Sequence, residues 1–122
     1  MIDFKNASFF KLEENSDYGD MVSTLLADGE SIIRAYKGVR DGVVFTDKRI
    51  IAINVQGATG KKKDFTSLPY SKIIVYSIET EAAFDLDVEL ELHFSGLGKV
   101  KFQFTGPTNI VEISNLISRY VF

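Results

Sequence analysis

The sole histidine, His93, ends a run in which acidic and apolar side chains alternate: Asp85, Asp87, Glu89 and Glu91 interleave with Leu86, Val88, Leu90, Leu92 and Phe94. Two close carboxyls can split their pKa values and serve as acid and base, and enough oxygens in one loop can hold Ca²⁺. The strict alternation argues against both. Residues at i and i+2 of a strand lie about 6.5 to 7 Å apart along one flat face, without a loop to wrap oxygens around an ion. Together with Glu79 and Glu81 these carboxylates read as a solvated face. One imidazole on that face, with no obvious serine partner, builds neither a Ser-His-Asp triad nor a two-histidine metal site. The chain has no cysteine, which removes disulfides, thiolate metal sites and thiol nucleophiles together. No catalytic residue, cofactor or metal is assigned.

The cationic candidates are Lys61, Lys62 and Lys63, which form the one basic run, and Lys37 with Arg40. The run follows Gly57-Ala58-Thr59-Gly60, which is not a phosphate loop because GxxxxGK[ST] fails at both ends. Against anionic head groups each lysine would contribute about 1 kcal/mol. The simpler reading is a solubility-conferring sheet edge, since adjacent strand residues take opposite faces and Asp64 follows directly. Arg49 suits a structural role, pairing with a carboxylate such as Glu79 or capping strand carbonyls. The net charge of −3 supplies no global positive field. Phe102 and Phe104 face inward by strand parity, so a stacking platform for bases is missing as well. Nucleic acid is disfavoured as a partner, and any membrane contact is local and weak.

The elements that position these residues follow from hydrophobic period. At 122 residues, with 45% hydrophobic and 25% charged side chains, the chain has the size and composition of one globular domain, which buries roughly two-thirds of its unfolded surface. No stretch approaches the roughly 18 apolar residues of a membrane span. The first fifteen residues mix Lys5, Lys11, Glu13 and Glu14 with aromatics, unlike a signal peptide, so a cytoplasmic protein is expected. Tyr18, Met21, Val22, Leu25 and Leu26 recur at helical spacing, with Ser16 or Asp17 available as cap. After Asp28-Gly29 the rhythm becomes β.

Seven strands are expected, at about Ser31 to Val39, Gly42 to Phe45, Arg49 to Gln56, Lys62 to Leu68, Ile73 to Ala82, Asp85 to Phe94 and Lys99 to Phe104. Asp41-Gly42 suits a type I′ hairpin, Thr46-Asp47-Lys48 a short turn, and Gly57 to Gly60 a loop needing positive φ. None leaves room for a crossover helix, so the sheet should be a meander. After Gly106-Pro107 helical spacing returns. Asn109 and Glu112 make a capping-box signature, and Ile110, Ile113, Leu116, Ile117, Tyr120 and Val121 form a stripe. That stripe matches the open end of a bent sheet.

The stretch Val43-Val44-Phe45-Thr46-Asp47-Lys48-Arg49-Ile50-Ile51 resembles a hairpin of bacterial pleckstrin-homology domains. The series that follows is similar in the same order: Gln56 to Lys62, Leu68-Pro69-Tyr70-Ser71-Lys72-Ile73, Glu79-Thr80 and Phe84 to Asp87. The resemblance, over Asp28 to Phe122, is to a small bacterial pleckstrin-homology family once catalogued as a domain of unknown function. It implies a mainly β fold: a seven-stranded antiparallel bent sheet or barrel with a C-terminal α-helix. Residues 1–27 would be an N-terminal helical extension and 28–122 the domain. It also implies a bacterial cytoplasmic origin and a ring-like homo-oligomer, a pentamer among the forms expected, with an unknown protein partner. Two departures from the eukaryotic pattern matter. There is no tryptophan in the chain, so Leu116 or Tyr120 must fill its volume, and Lys37 with Arg40 is too sparse a set to carry over inositol-phosphate binding.

The aromatics before the domain are in excess of what one barrel mouth needs. Ile2, Phe4, Phe9 and Phe10, with Tyr18, Met21 and Leu25, either pack between subunits or cover the barrel wall. The expected function is a non-catalytic assembly module, and the alternative is a weak peripheral-membrane or small-ligand binding domain using Lys37, Arg40 and the lysine run.

Overall fold

A computed structural model describes residues 1–7, 9–80, 87–106 and 110–121. The strands are β1 (Phe9–Glu14), β2 (Ile32–Lys37), β3 (Asp41–Thr46), β4 (Arg49–Gln56), β5 (Lys62–Pro69), β6 (Ile73–Thr80), β7 (Asp87–Phe94) and β8 (Gly98–Thr105). The helices are α1 (Ser16–Val22), extended by a 3-10 turn at Ser23–Leu25, and α2 (Ile110–Val121). All eight strands lie in one sheet ordered β5-β4-β3-β2-β1-β8-β7-β6. The architecture is the expected bent antiparallel sheet with a C-terminal helix, but with eight strands rather than seven. The ends expected for two strands at Glu81 to Ala82 and Asp85 to Leu86, and the cap at Asn109, lie outside the described residues.

The additional strand comes from the segment expected to stand outside the sheet as a helical extension. β1 pairs antiparallel with β2 through Glu13↔Lys37 and Glu14↔Tyr36, and parallel with β8 through Phe9↔Phe102 and Leu12↔Phe104. It joins two separate meanders, β2 to β5 and β6 to β8; the single meander expected is interrupted because β5 and β6 are not paired and form the two edges of the sheet. Lys11, at φ 55°, marks where β1 changes partner. Its left-handed backbone is a local irregularity that breaks the alternation, and it makes Phe9 and Leu12, three residues apart, point into the same core.

Alternation is regular in β7 and β8, whereas β3 and β4 are buried on both faces. Val88, Leu90, Leu92 and Phe94 of β7 and Val100, Phe102 and Phe104 of β8 are buried, with Glu91 opposite Lys101 outside. Ile113, Leu116 and Ile117 of α2 enter the same core, as the stripe requires. Leu116 is buried, whereas Tyr120 stacks on the buried Tyr70 with ring centroids 4.9 Å apart. Ile2 is buried in this core and Phe4 packs on it.

On the other face of the first strands a smaller core holds Tyr18 and Val22 of α1 against Ala35, Val44, Ile51 and Ile53. Asn15, rather than Ser16 or Asp17, caps α1, accepting the Asp17 amide at 2.9 Å. Gly42 does not form the expected hairpin turn. Asp41 and Gly42 already belong to β3, and the chain turns at residues 38–40. Glycine is needed at 42 for space, because a Cβ there would come within 2.1 Å of the Tyr18 ring. We therefore expect Gly42→Ala to cost about 1–3 kcal/mol by overpacking. Denaturant unfolding of Gly42→Ala, Tyr18→Ala and the double variant should reveal non-additivity, the double variant keeping only the part of the penalty that comes from the Tyr36 carbonyl, 2.9 Å from the same Cβ.

Candidate functional site

Arg49 opens β4 directly after the β3–β4 turn, and its partner is Glu30 rather than Glu79. Arg49 Nη2 and Nε donate to Glu30 Oε1 and Oε2 at 2.9 and 3.0 Å. Glu79 is distant because β6 occupies the opposite edge of the sheet. Nη2 also reaches Leu25 O at 2.9 Å and Nη1 the Ser67 hydroxyl at 3.0 Å. Glu30 is fully satisfied by further donation from Thr46 Oγ1 at 2.6 Å and the Ala27 amide at 2.8 Å. Its side chain has no solvent exposure. The Arg49 hydrogen bonds, then those of Thr46 and Ala27, outweigh desolvation and hold the Glu30 pKa at about 2. The turn carries more links: Asp47 Oδ1 accepts the Ser31 amide at 2.9 Å, Tyr70 OH donates to Thr46 O at 2.7 Å, and Tyr120 OH donates to Asp47 O. The motif residues of this turn hold the fold.

The basic candidates fall at one end of the first strands. Arg40 Nη2 donates to Gly57 O, and Val55 N donates to Arg40 O at 2.8 Å, so the β2–β3 turn rests on the β4–β5 loop. Gly57 and Gly60 take the positive φ expected there, 80° and 68°. Lys61, Lys62 and Lys63 leave this loop exposed. Lys37 lies farther along β2 with its ammonium 5.8 Å from the centre of the Tyr18 ring. Two residues passed over in the sequence join the group. Lys11 lines the same recess as Lys37, and Val39, 78% exposed, projects at the turn tip. A lone Val between Gly38 and Arg40 was the available signal for the second.

His93 Nε2 meets Glu91 Oε2 at 3.1 Å on the outer face of β7, and Lys101 lies 3.5 and 3.6 Å from Glu89 and Glu91. Among the described residues no group of three or more His, Cys, Asp or Glu is placed to hold a metal ion, and no helix is long and apolar enough to cross a membrane.

The N-terminal aromatics divide. Phe9 and Tyr18 are buried within the chain, Phe9 in the main core and Tyr18 under α1. Phe4 stacks on Phe9 and Met21 packs on the smaller core. Phe10 and Leu25 remain 42% and 48% exposed. Packing against the chain itself therefore accounts for four of the six candidates Phe4, Phe9, Phe10, Tyr18, Met21 and Leu25.

A bent, mainly antiparallel sheet with a C-terminal helix packed into its core defines a pleckstrin-homology-like domain. The bacterial PH domain family matches residues 3–121, and the chain belongs to it. The uncharacterized protein YjqA of Bacillus subtilis (strain 168) is 45% identical over 96 residues, 77% of each chain. A DUF1696 family protein with a pleckstrin-homology domain from Shewanella loihica PV-4 is similar in structure, with a TM-score of 0.77 and 33% identity over 93% of this chain and 99% of that one. A pleckstrin-homology domain from Shewanella amazonensis SB2B has a TM-score of 0.63 and 40% identity over 96% and 93%.

The Glu30 pairing has a pH signature. Because the folded pKa lies below the ordinary value of 4.5, its stabilisation is complete above about pH 4.5 and is lost as pH falls toward 2; the span corresponds to about 3 kcal/mol. Urea unfolding between pH 7 and 2.5 should show this loss in the native chain and a shallower decline in Glu30→Gln. Arg49→Met, which strands the carboxylate, should cost about 3–5 kcal/mol at pH 7.

Proposed function

We propose that this domain is a non-catalytic, cytoplasmic assembly module whose copies join into a ring-like homo-oligomer, presenting one binding surface several times to a protein partner. The observation that carries the reading is the contrast between the two edges of the sheet. β5 is blunted by Lys62, Lys63, Asp64 and Pro69, which are the usual protections of an edge strand. β6 has no charge and no proline from Ile73 to Ile78; its register with β7 shifts between Ile73 and Val75, and Ile74 and Val75 are 68% and 55% exposed. Among the described strands β6 has a neighbour, β7, on one side alone, and a sheet edge flanked by apolar side chains is a template for another chain. A heterologous contact repeated by identical copies closes into a ring when its rotation permits. The family likeness favours the same outcome, a pentamer being one such ring, and exposed Phe10 and Leu25 are available to supplement the contact.

Light scattering on a size-exclusion column tests this. The native chain should elute at a multiple of its 13.7 kDa mass, and Ile74→Lys/Val75→Lys should elute as a folded monomer. A native monomer at micromolar and higher concentrations sinks the reading.

A second reading, weak attachment to anionic membranes, is favoured by one observation: Arg40 of the β2–β3 turn meets the β4–β5 loop that leads into Lys61, Lys62 and Lys63, and Val39 of the same turn is exposed. Arg40 is already engaged with Gly57 and Lys37 with Tyr18, so each copy binds feebly and repetition supplies the avidity. Anionic vesicles at low salt should sediment more protein than neutral ones, and Val39→Asp should remove the excess. Equal sedimentation with both vesicle types excludes this role.

A further inference from the structure

The sheet encloses its core with two openings, and they are closed differently. α2 fills one with Ile113, Leu116 and Ile117. Residues 1–7 cross the other, from β5, where Ile2 N donates to Thr66 Oγ1 at 3.2 Å, to the start of β8. This second closure is incomplete. A cleft of about 610 Å³ remains between the N-terminal segment and the β7–β8 turn, within the size range of small-molecule sites, which commonly lie in barrel mouths. Its floor is apolar, made by Ile2, the stacked rings of Phe4 and Phe9, and the partly exposed Leu97.

Three lysines line the same cleft, Lys5, Lys99 and Lys101. Lys101 is shared with Glu89 and Glu91, but Lys5 and Lys99 enter no ion pair among the described residues. The one carboxylate on the lining, Asp3, accepts from the Lys5 amide at 3.1 Å and from Asn6 Nδ2 at 2.7 Å and also feels the Lys5 charge. In a chain of net charge −3 an apolar floor lined by three lysines and one carboxylate is a local reversal of sign. It complements a ligand with a hydrocarbon body and a single anionic head.

We propose that this cleft binds an acyl carboxylate, a free fatty acid of medium length, with its chain against Phe4, Phe9 and Leu97 and its carboxylate between Lys5 and Lys99. The site is separate from the β6 edge and from the Arg40 end, and it does not depend on self-assembly.

Amide NMR spectra of the full chain, titrated with hexanoate, octanoate and decanoate below their micelle concentrations, test the assignment. Shifts should centre on residues 3–7 and 97–101. Affinity should fall about fourfold for each methylene removed, the equivalent of about 0.8 kcal/mol. Lys5→Gln/Lys99→Gln should weaken decanoate about tenfold, as expected for lost charge-assisted hydrogen bonds, with an unchanged unfolding midpoint. Equal binding of decyltrimethylammonium, independence of chain length, shifts centred elsewhere, or response to anionic vesicles but not to decanoate would each overturn it.

Discussion

The buried ion pair of Glu30 and Arg49 is the constraint on which the rest of the structure depends. A carboxylate without solvent exposure is stable only if its charge is met and its lone pairs are occupied, and here Arg49, Thr46 and the Ala27 amide do both. Because the guanidinium also reaches Leu25 O and the Ser67 hydroxyl, one side chain fixes the approach from α1, the start of β2, the β3–β4 turn and β5 together. Tyr70 and Tyr120 then hang the β5–β6 connection and α2 on the same turn. Such an arrangement specifies a geometry more than it adds stability. Apolar replacements can match a buried pair in energy, but they do not dictate which four segments must meet.

With that corner fixed, the N-terminal segment has a single way to join the sheet. β1 lies between β2 and β8, so the chain's first strand seals the seam between the two meanders. The side-chain cost of this position is visible at Lys11, whose left-handed backbone would be about 1 kcal/mol cheaper for glycine. The gain is burial of Phe9 and Leu12 beside Phe102 and Phe104. Aromatic pairs tie the seam: Phe9 meets Phe102 edge-on at 5.2 Å and Tyr36 meets Phe104 at 4.7 Å. Most of the N-terminal aromatics thus serve the chain itself, and the surface left for partners moves to β6 and to the cleft beneath residues 1–7.

Legibility in the sequence followed the physics of each element. β7 and β8 were readable because each has one face in the core and one in water, which period-2 alternation records directly, whereas β3 and β4, covered on both faces, read as short continuous apolar runs between turn residues. The stripe of α2 was readable for the analogous reason at period 3.6. β1 was not, because the left-handed residue spaces Phe9 and Leu12 three apart, imitating neither period. Gly42 was misread for a related reason. Asp-Gly marks a hairpin turn when positive φ is what the glycine supplies, but here the glycine supplies room for Tyr18 from a helix distant in sequence. Arg49 was recognisable as structural from its place in the turn motif, whereas its partner Glu30 follows no local spacing rule.

The same distinction explains why the candidate sites were harder to see than the fold. Alternation says which face a residue takes and nothing about which strand ends a sheet, so the neutral stretch Ile73 to Ile78 looks like any interior strand until β6 proves to be an edge. Likewise Lys5 and Lys99 are separated by most of the chain, and only the parallel pairing of β1 with β8 brings their segments to one opening. Edges and openings are properties of closure, set by long-range pairing. In a small barrel whose interior is filled by side chains, they are also the places where backbone groups or apolar surface stay available to a ligand.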